Sequence, residues 1–182
     1  AIPNLDVARP ADANETSVAW GEILRRTDRP AGIILSRQDL RIVARGDEYS
    51  SAEGVARGGY VLKEASDKPR LILIASGSEV ALALEAAAKL EEDNVPTRVV
   101  SMPCTEWFDE QDPEYRESVL PKDVKARVSI EAGIAMGWGR YVGDAGASIS
   151  IECFGASAAG SKCFEEYGFT VDNVIKTARS VL

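Results

Sequence analysis

The sequence predicts an α/β fold of mostly parallel sheets with helices on both faces. Three observations predict it. Short, continuous apolar runs such as Ala31–Leu35 and Leu71–Ala75 read as strands buried on both faces. Stretches of helical character separate them, as crossover connections between parallel strands require. Turn residues such as Asp28-Arg29-Pro30 and Ser76-Gly77-Ser78 stand at the joints.

The elements follow in order. Leu5–Arg9 is a short strand ended by Pro10. Asp12 or Asn14 caps a helix through Trp20 and Leu24, with Glu15 in its first turn, where the helix dipole favours negative charge. Ala31–Leu35 is the next strand and delivers Ser36-Arg37-Gln38 at its carboxyl end. The following polar, glycine-bearing stretch has no clear period and reads as a linker, with a helical turn near Glu53. Leu71–Ala75 then leads through Ser76–Glu79 into a long helix, Val80–Glu92. Thr97–Met102 is a strand stopped by Pro103, and Trp107 and Phe108 are core anchors of a short amphipathic segment. Ala126–Ala132 and Ser148–Glu152 are further strands, and Ala156–Tyr167 and Thr170–Leu182 are closing helices. In the last helix, Val171, Val174, Ile175, Ala178 and Val181 form one apolar stripe.

Composition excludes several functions. The formal net charge of −8 disfavours nucleic acid and anionic membrane, so a phosphorylated ligand needs a local positive site. No apolar run is long enough to span a bilayer, and no signal-peptide pattern opens the chain. The 182 residues contain no histidine, which removes Ser-His-Asp and Cys-His nucleophile systems and the common zinc sites. Cys104, Cys153 and Cys163 lack metal or disulfide spacing and read as small buried hydrophobes in a reducing compartment. The chain has no initiator methionine and opens on a strand pattern, which predicts a piece of a longer protein.

Three places are candidate sites. Arg37 lies just past a strand, at the sheet edge where ligands bind in parallel folds, and its planar fork suits phosphate; the alternative is an ion pair with a nearby carboxylate. Ser76–Glu79 joins a strand to a helix N-terminus and can either cap the helix or hold an anion, and the pattern favours capping by Ser78. Glu131 can pair with Arg140 as a structural ion pair, since the sequence identifies no partner that would make it a general acid, and Trp138 and Tyr141 read equally as packing or interface residues and as ligand contacts. From the residues alone this is an acidic α/β protein with an anion candidate at Arg37 and no assigned reaction.

Several stretches in order resemble transketolase. They include Arg9-Pro10-Ala11-Asp12, Ile34-Leu35-Ser36-Arg37-Gln38, Ala56-Arg57-Gly58-Gly59-Tyr60-Val61-Leu62, Ile74-Ala75-Ser76-Gly77-Ser78-Glu79-Val80, Tyr115-Arg116-Glu117-Ser118-Val119-Leu120-Pro121 and Phe164-Glu165-Glu166-Tyr167-Gly168-Phe169-Thr170-Val171-Asp172-Asn173. Together they cover nearly the whole chain. The resemblance implies the terminal part of a pyrimidine-binding domain at 1–40, a linker at 41–59 and a complete carboxy-terminal domain at 60–182. It implies a cytoplasmic homodimer of the pentose phosphate pathway that uses thiamine diphosphate and a divalent cation, Mg or Ca. The reaction moves a two-carbon ketol unit between sugar phosphates such as xylulose 5-phosphate and ribose 5-phosphate. It assigns Arg37 to the substrate phosphate and places no catalytic, cofactor or metal residue in this chain, which is expected to be inactive alone. Two other readings stand beside it: the last domain of a related thiamine-diphosphate enzyme, and a free-standing anion-binding α/β module.

Overall fold

The computed structural model describes residues 2–182. Its central element is a five-stranded sheet in the order β3 (Tyr60–Lys63), β5 (Thr97–Ser101), β4 (Leu71–Ala75), β6 (Arg127–Ile130), β7 (Ala147–Ile149). Strands β5, β4, β6 and β7 run parallel, and β3 pairs antiparallel with β5 at the edge. A second, two-stranded parallel sheet joins β1 (Asp6–Ala8) to β2 (Ala31–Ile33) around helix α1 (Ala13–Arg25).

The period-2 geometry of a strand explains the two cores. Along β4, Leu71, Leu73 and Ala75 enter one apolar cluster, and Ile72 and Ile74 enter another. All five are fully buried, and each large side chain so buried contributes roughly 1.5–3 kcal/mol. On the first face lie α2 (Glu79–Glu92) and α7 (Val171–Ser180), with Ala83, Ala87, Leu90, Val174 and Ala178 against the sheet. On the second lie α3 (Thr105–Asp109), α4 (Pro113–Val119) and α5 (Gly139–Val142), with Phe108, Val119, Trp138 and Tyr141. Helices therefore cover both faces, as the apolar runs predict. The stripe on α7 also holds: Val174 and Ala178 are buried, and Val171, Ile175 and Val181 pack beside them.

Ala8, Ala11 and Ala19 of the first segment belong to the same core cluster as Leu71 and Leu73. A 3-10 turn at Ala52–Arg57, capped by Ser51, bridges α1 and the sheet near the helical turn expected at Glu53. Gly58 follows it at φ 78°, and a Cβ there would overlap the backbone of Phe108 and Cys104, so only glycine fits this close approach.

Several expectations need correction. The run Ala31–Leu35 is not a strand buried on both faces. It forms three residues of strand, all half-buried, and Ile34 and Leu35 are 52% and 53% exposed. The reason is that β2 pairs with β1 alone among the described residues, so nothing covers the far side of the run. Strand β3 is not among the expected elements, because its apolar run, Tyr60-Val61-Leu62, is only three residues long and directly follows the glycine-bearing linker. The closing helix expected at 156–167 shortens to α6 (Gly160–Glu166), which buries no residue fully and so has little packing to extend it. Cys104 is buried, and burial pushes its thiol up, but Cys153 is exposed and Cys163 half-exposed.

Candidate functional site

Arg37 follows the carboxyl end of β2, exposed, on the bend that β2 feeds. No hydrogen bond or ion pair engages its guanidinium among the described residues. The bend lies against α6: Gln38 approaches Gly160, and Gln38, Leu40, Ser78, Phe164 and Thr170 line a shallow open hollow of about 340 Å³. The structural ion pair that was the alternative role for Arg37 is absent among these residues.

The Ser76–Glu79 turn has a different occupant from the one expected. Arg9, at the end of β1, reaches over it. Arg9 Nη1 donates to Ser76 Oγ at 3.1 Å and to Glu131 Oε1, and Nη2 lies 3.1 Å from Glu79 Oε2. Ser76 Oγ donates to Glu131 Oε2, and the Gly77 N–H donates to the Arg9 carbonyl at 2.9 Å. Glu79 is fully buried, so two carboxylates and a guanidinium fill the position. An anion there would meet like charge, which overturns the anion reading of this turn. Ser78 is not a side-chain cap either: its hydroxyl donates to Glu79 Oε1 at 2.6 Å, and its backbone is already helical. Glu131 pairs with Arg9 and not with Arg140, because β6 ends beside β4, directly under Arg9. Arg140 instead meets Asp109 at 2.9 Å.

Burial pushes the Glu131 carboxyl above its usual range, with Arg9 pulling it back down. For Arg9, burial opposes the charge, but Glu131 and Glu79 outweigh it and hold the guanidinium above its ordinary value. Strand order reverses here, since β5 lies on one side of β4 and β6 on the other, and such crevices are where parallel sheets bind ligands. A cleft of about 430 Å³ opens beside the cluster, lined by Arg9, Ser76, Glu131, Met102 and Trp138. The first segment of the chain itself occupies the polar floor of that crevice.

Two more polar clusters join the first segment to the sheet. Glu15 is fully buried and accepts from Tyr60 Oη at 2.7 Å, Ser101 Oγ at 2.8 Å and the Ala11 N–H at 2.8 Å. Arg45 completes it, donating to Tyr60 Oη at 2.8 Å and pairing with Asp12 at 3.2 Å. Asp12 also caps α1 by accepting from the Glu15 N–H at 2.9 Å, as one of the two expected caps. Burial raises the Glu15 carboxyl despite these donors. In the third cluster, Trp107 Nε1 donates to buried Asp6 at 2.6 Å, and Arg26 stacks 4.9 Å from the Trp107 ring centre. Sequence reasoning placed Glu15 only at a helix start. The signal for more was Arg9-Pro10-Ala11-Asp12 followed by Glu15, a dense run of charge at the joint of a strand and a helix.

Histidine is absent, and the described residues hold no group of three or more acidic or cysteine side chains able to bind a metal. No helix among them is long and apolar enough to cross a membrane.

Residues 58–170 match the family model described as the transketolase-like TK C-terminal domain. Transketolase 1 of Escherichia coli K12 is 52% identical over 180 residues, covering 99% of this chain and 27% of its own length. The transketolase of Mycobacterium leprae is 50% identical over 188 residues, covering 100% of this chain and 26% of its own. A crystal structure of Pichia stipitis transketolase in complex with sedoheptulose-7-phosphate superposes with a TM-score of 0.89 at 38% identity, over 100% of this chain and 26% of that one. The chain thus spans about a quarter of the length of the curated relatives it matches. With a family model over most of its length and half its residues shared across that span, the chain belongs to the transketolase family.

Proposed function

We propose that this chain forms the carboxy-terminal part of a transketolase and supplies Arg37 as the residue that holds the substrate phosphate. The observation that carries the reading is the state of Arg37: exposed, past the carboxyl end of a parallel strand, and without a carboxylate partner among the described residues. A guanidinium so placed is free to accept a phosphate in two-point contact. The sugar phosphate bound to the Pichia stipitis relative supports the same class of partner, such as xylulose 5-phosphate or ribose 5-phosphate.

The whole enzyme in this reading is a cytoplasmic homodimer of the pentose phosphate pathway. Residues 1–40 end its pyrimidine-binding domain, 41–59 link, and 60–182 form its last domain. Thiamine diphosphate, with a divalent cation, supplies the carbanion chemistry of two-carbon transfer. The residues of this chain do not fit either group: the strand-to-helix turn at Ser76 is filled by Arg9 and faces carboxylates, and the donor set lacks a metal cluster among the described residues. Both would be held outside it. The part played by this chain is to bind and orient the phosphate end of the substrate.

The test is Arg37→Ala in the full-length enzyme. The value of kcat/KM for xylulose 5-phosphate is expected to fall by roughly ten- to a hundredfold, as loss of a charged hydrogen bond implies. Hydroxypyruvate, which has no phosphate, should be used almost as well as before. An equal fall for both donors would make Arg37 a structural residue and remove the phosphate reading.

A further inference from the structure

A second positive site lies on the other face of the sheet from α2. Helix α4, the turn after it, the start of β6 and helix α5 enclose a cleft of about 350 Å³. Its charged lining is Arg116, Lys122, Arg127 and Arg140 against Asp109 and Glu117. The chain as a whole carries a net charge of −8, yet this lining has four cations against two carboxylates.

The two carboxylates are already engaged. Glu117 accepts from the Lys122 N–H at 2.8 Å and meets Lys122 Nζ at 3.6 Å. Asp109 pairs with Arg140 at 2.9 Å and accepts from Tyr141 Oη at 3.1 Å. Two guanidinium groups then remain. Arg116 Nε is buried with no acceptor, an arrangement native proteins rarely leave unexplained. Arg127 is held rigidly by the carbonyls of Val124, Tyr141, Leu120 and Pro121, at 3.0, 2.7, 3.1 and 2.9 Å. Those carbonyls satisfy its N–H groups without cancelling its charge. Burial accordingly lowers its pKa, with Glu117 acting in the other direction.

We propose that this cleft binds a small molecule bearing a phosphate monoester, with Arg116 donating to the phosphate and Arg127 supplying a fixed positive charge beside it. The charge matches: a phosphate monoester carries about −1.5 to −2 at neutral pH, which two unpaired guanidinium groups balance. The size matches too, since pockets for small ligands begin near 300 Å³. Phe108 and Tyr141 supply an apolar wall for the organic body. The site shares no residue with the bend at Arg37, and it stands whether or not Arg37 holds a substrate.

The probes are inorganic phosphate and phenyl phosphate, titrated calorimetrically into the 182-residue chain, with phenol as the uncharged control. Phenyl phosphate is expected to bind saturably and more tightly than inorganic phosphate, and phenol not at all. Arg116→Ala should weaken it by roughly tenfold or more, as removal of a charged hydrogen bond does. Lys122→Glu, on an exposed turn where folding is not at risk, should weaken it as well by reversing charge at the mouth. Arg37→Ala should leave it unchanged. Absence of saturable binding, or binding that survives both Arg116→Ala and Lys122→Glu, or binding lost only in Arg37→Ala, would overturn the proposal.

Discussion

Glu15→Ala is expected to lower the unfolding free energy by about 3–5 kcal/mol, the range for removing one partner from a buried charged network. The substitution strips the acceptor from three donors at once: the Tyr60 hydroxyl, the Ser101 hydroxyl and the Ala11 N–H. None of the three has room to turn toward water, since Ser101 is fully buried and Tyr60 nearly so. Arg45 would also lose a carboxylate 3.6 Å away and keep only Asp12. Urea unfolding followed by circular dichroism measures the effect, as a lower midpoint at unchanged slope. Glu15→Gln should fall between the two, because its amide keeps one acceptor oxygen but turns an NH2 group toward a donor. A loss below about 1 kcal/mol for the alanine variant would show that the network does not hold α1 to the sheet.

Arg9→Ala should also cost about 3–5 kcal/mol near neutral pH, and the cost should depend on pH. Without the guanidinium, Glu79 and Glu131 are two carboxylates in one buried site with no cation between them. Glu131 is already pushed up by burial with Arg9 present. Removing Arg9 removes the group that pulls it down, so its folded-state pKa rises further above the unfolded value of about 4.3. A carboxyl raised on folding contributes stability that is fully present below the unfolded pKa and lost as pH rises through the folded pKa. The gap between wild type and Arg9→Ala should therefore be small near pH 4.5 and widen toward pH 7.5. Urea midpoints at three pH values across that window give the answer. A gap that stays constant with pH would mean that Arg9 acts through packing over Gly77 and not through charge.

The fold class was legible in the sequence because the signals that define it are local. Leu71–Ala75 needs only its own five side chains to read as a doubly covered strand, and the α7 stripe needs only its own spacing. Trp107 and Phe108 announced a core by size alone, and both are buried. What failed depended on partners far along the chain. The partner of Glu131 is 122 residues away, whereas Arg140 is nine residues on and looked the better choice. Glu15 at a helix start fits the dipole argument fully, and nothing local says that Tyr60 and Ser101 will enclose it. Ala31–Leu35 had the composition of a buried strand, but composition does not say whether a neighbour strand is present to bury it. Arg37 was visible as a charged residue past a strand end, and its assignment to phosphate came from resemblance, not spacing.

The clusters that anchor the first segment have a kinetic consequence. Arg9 binds Ser76 and Glu131 across 67 and 122 residues, Asp6 binds Trp107 across 101, and Glu15 binds Ser101 across 86. Contacts of such sequence separation raise the contact order and close late, after local strands and helices have formed. On the ribosome, at roughly 5–20 residues per second, Arg9 waits about 6–24 seconds before Glu131 has been made. Asp6 and Glu15 meet cations from nearer in the chain, Arg29 and Arg45, but the Arg9 guanidinium has neither carboxylate partner until Glu79, and not both until Glu131, has been made. The docking of the first segment onto the sheet is therefore completed only once β6 has been made.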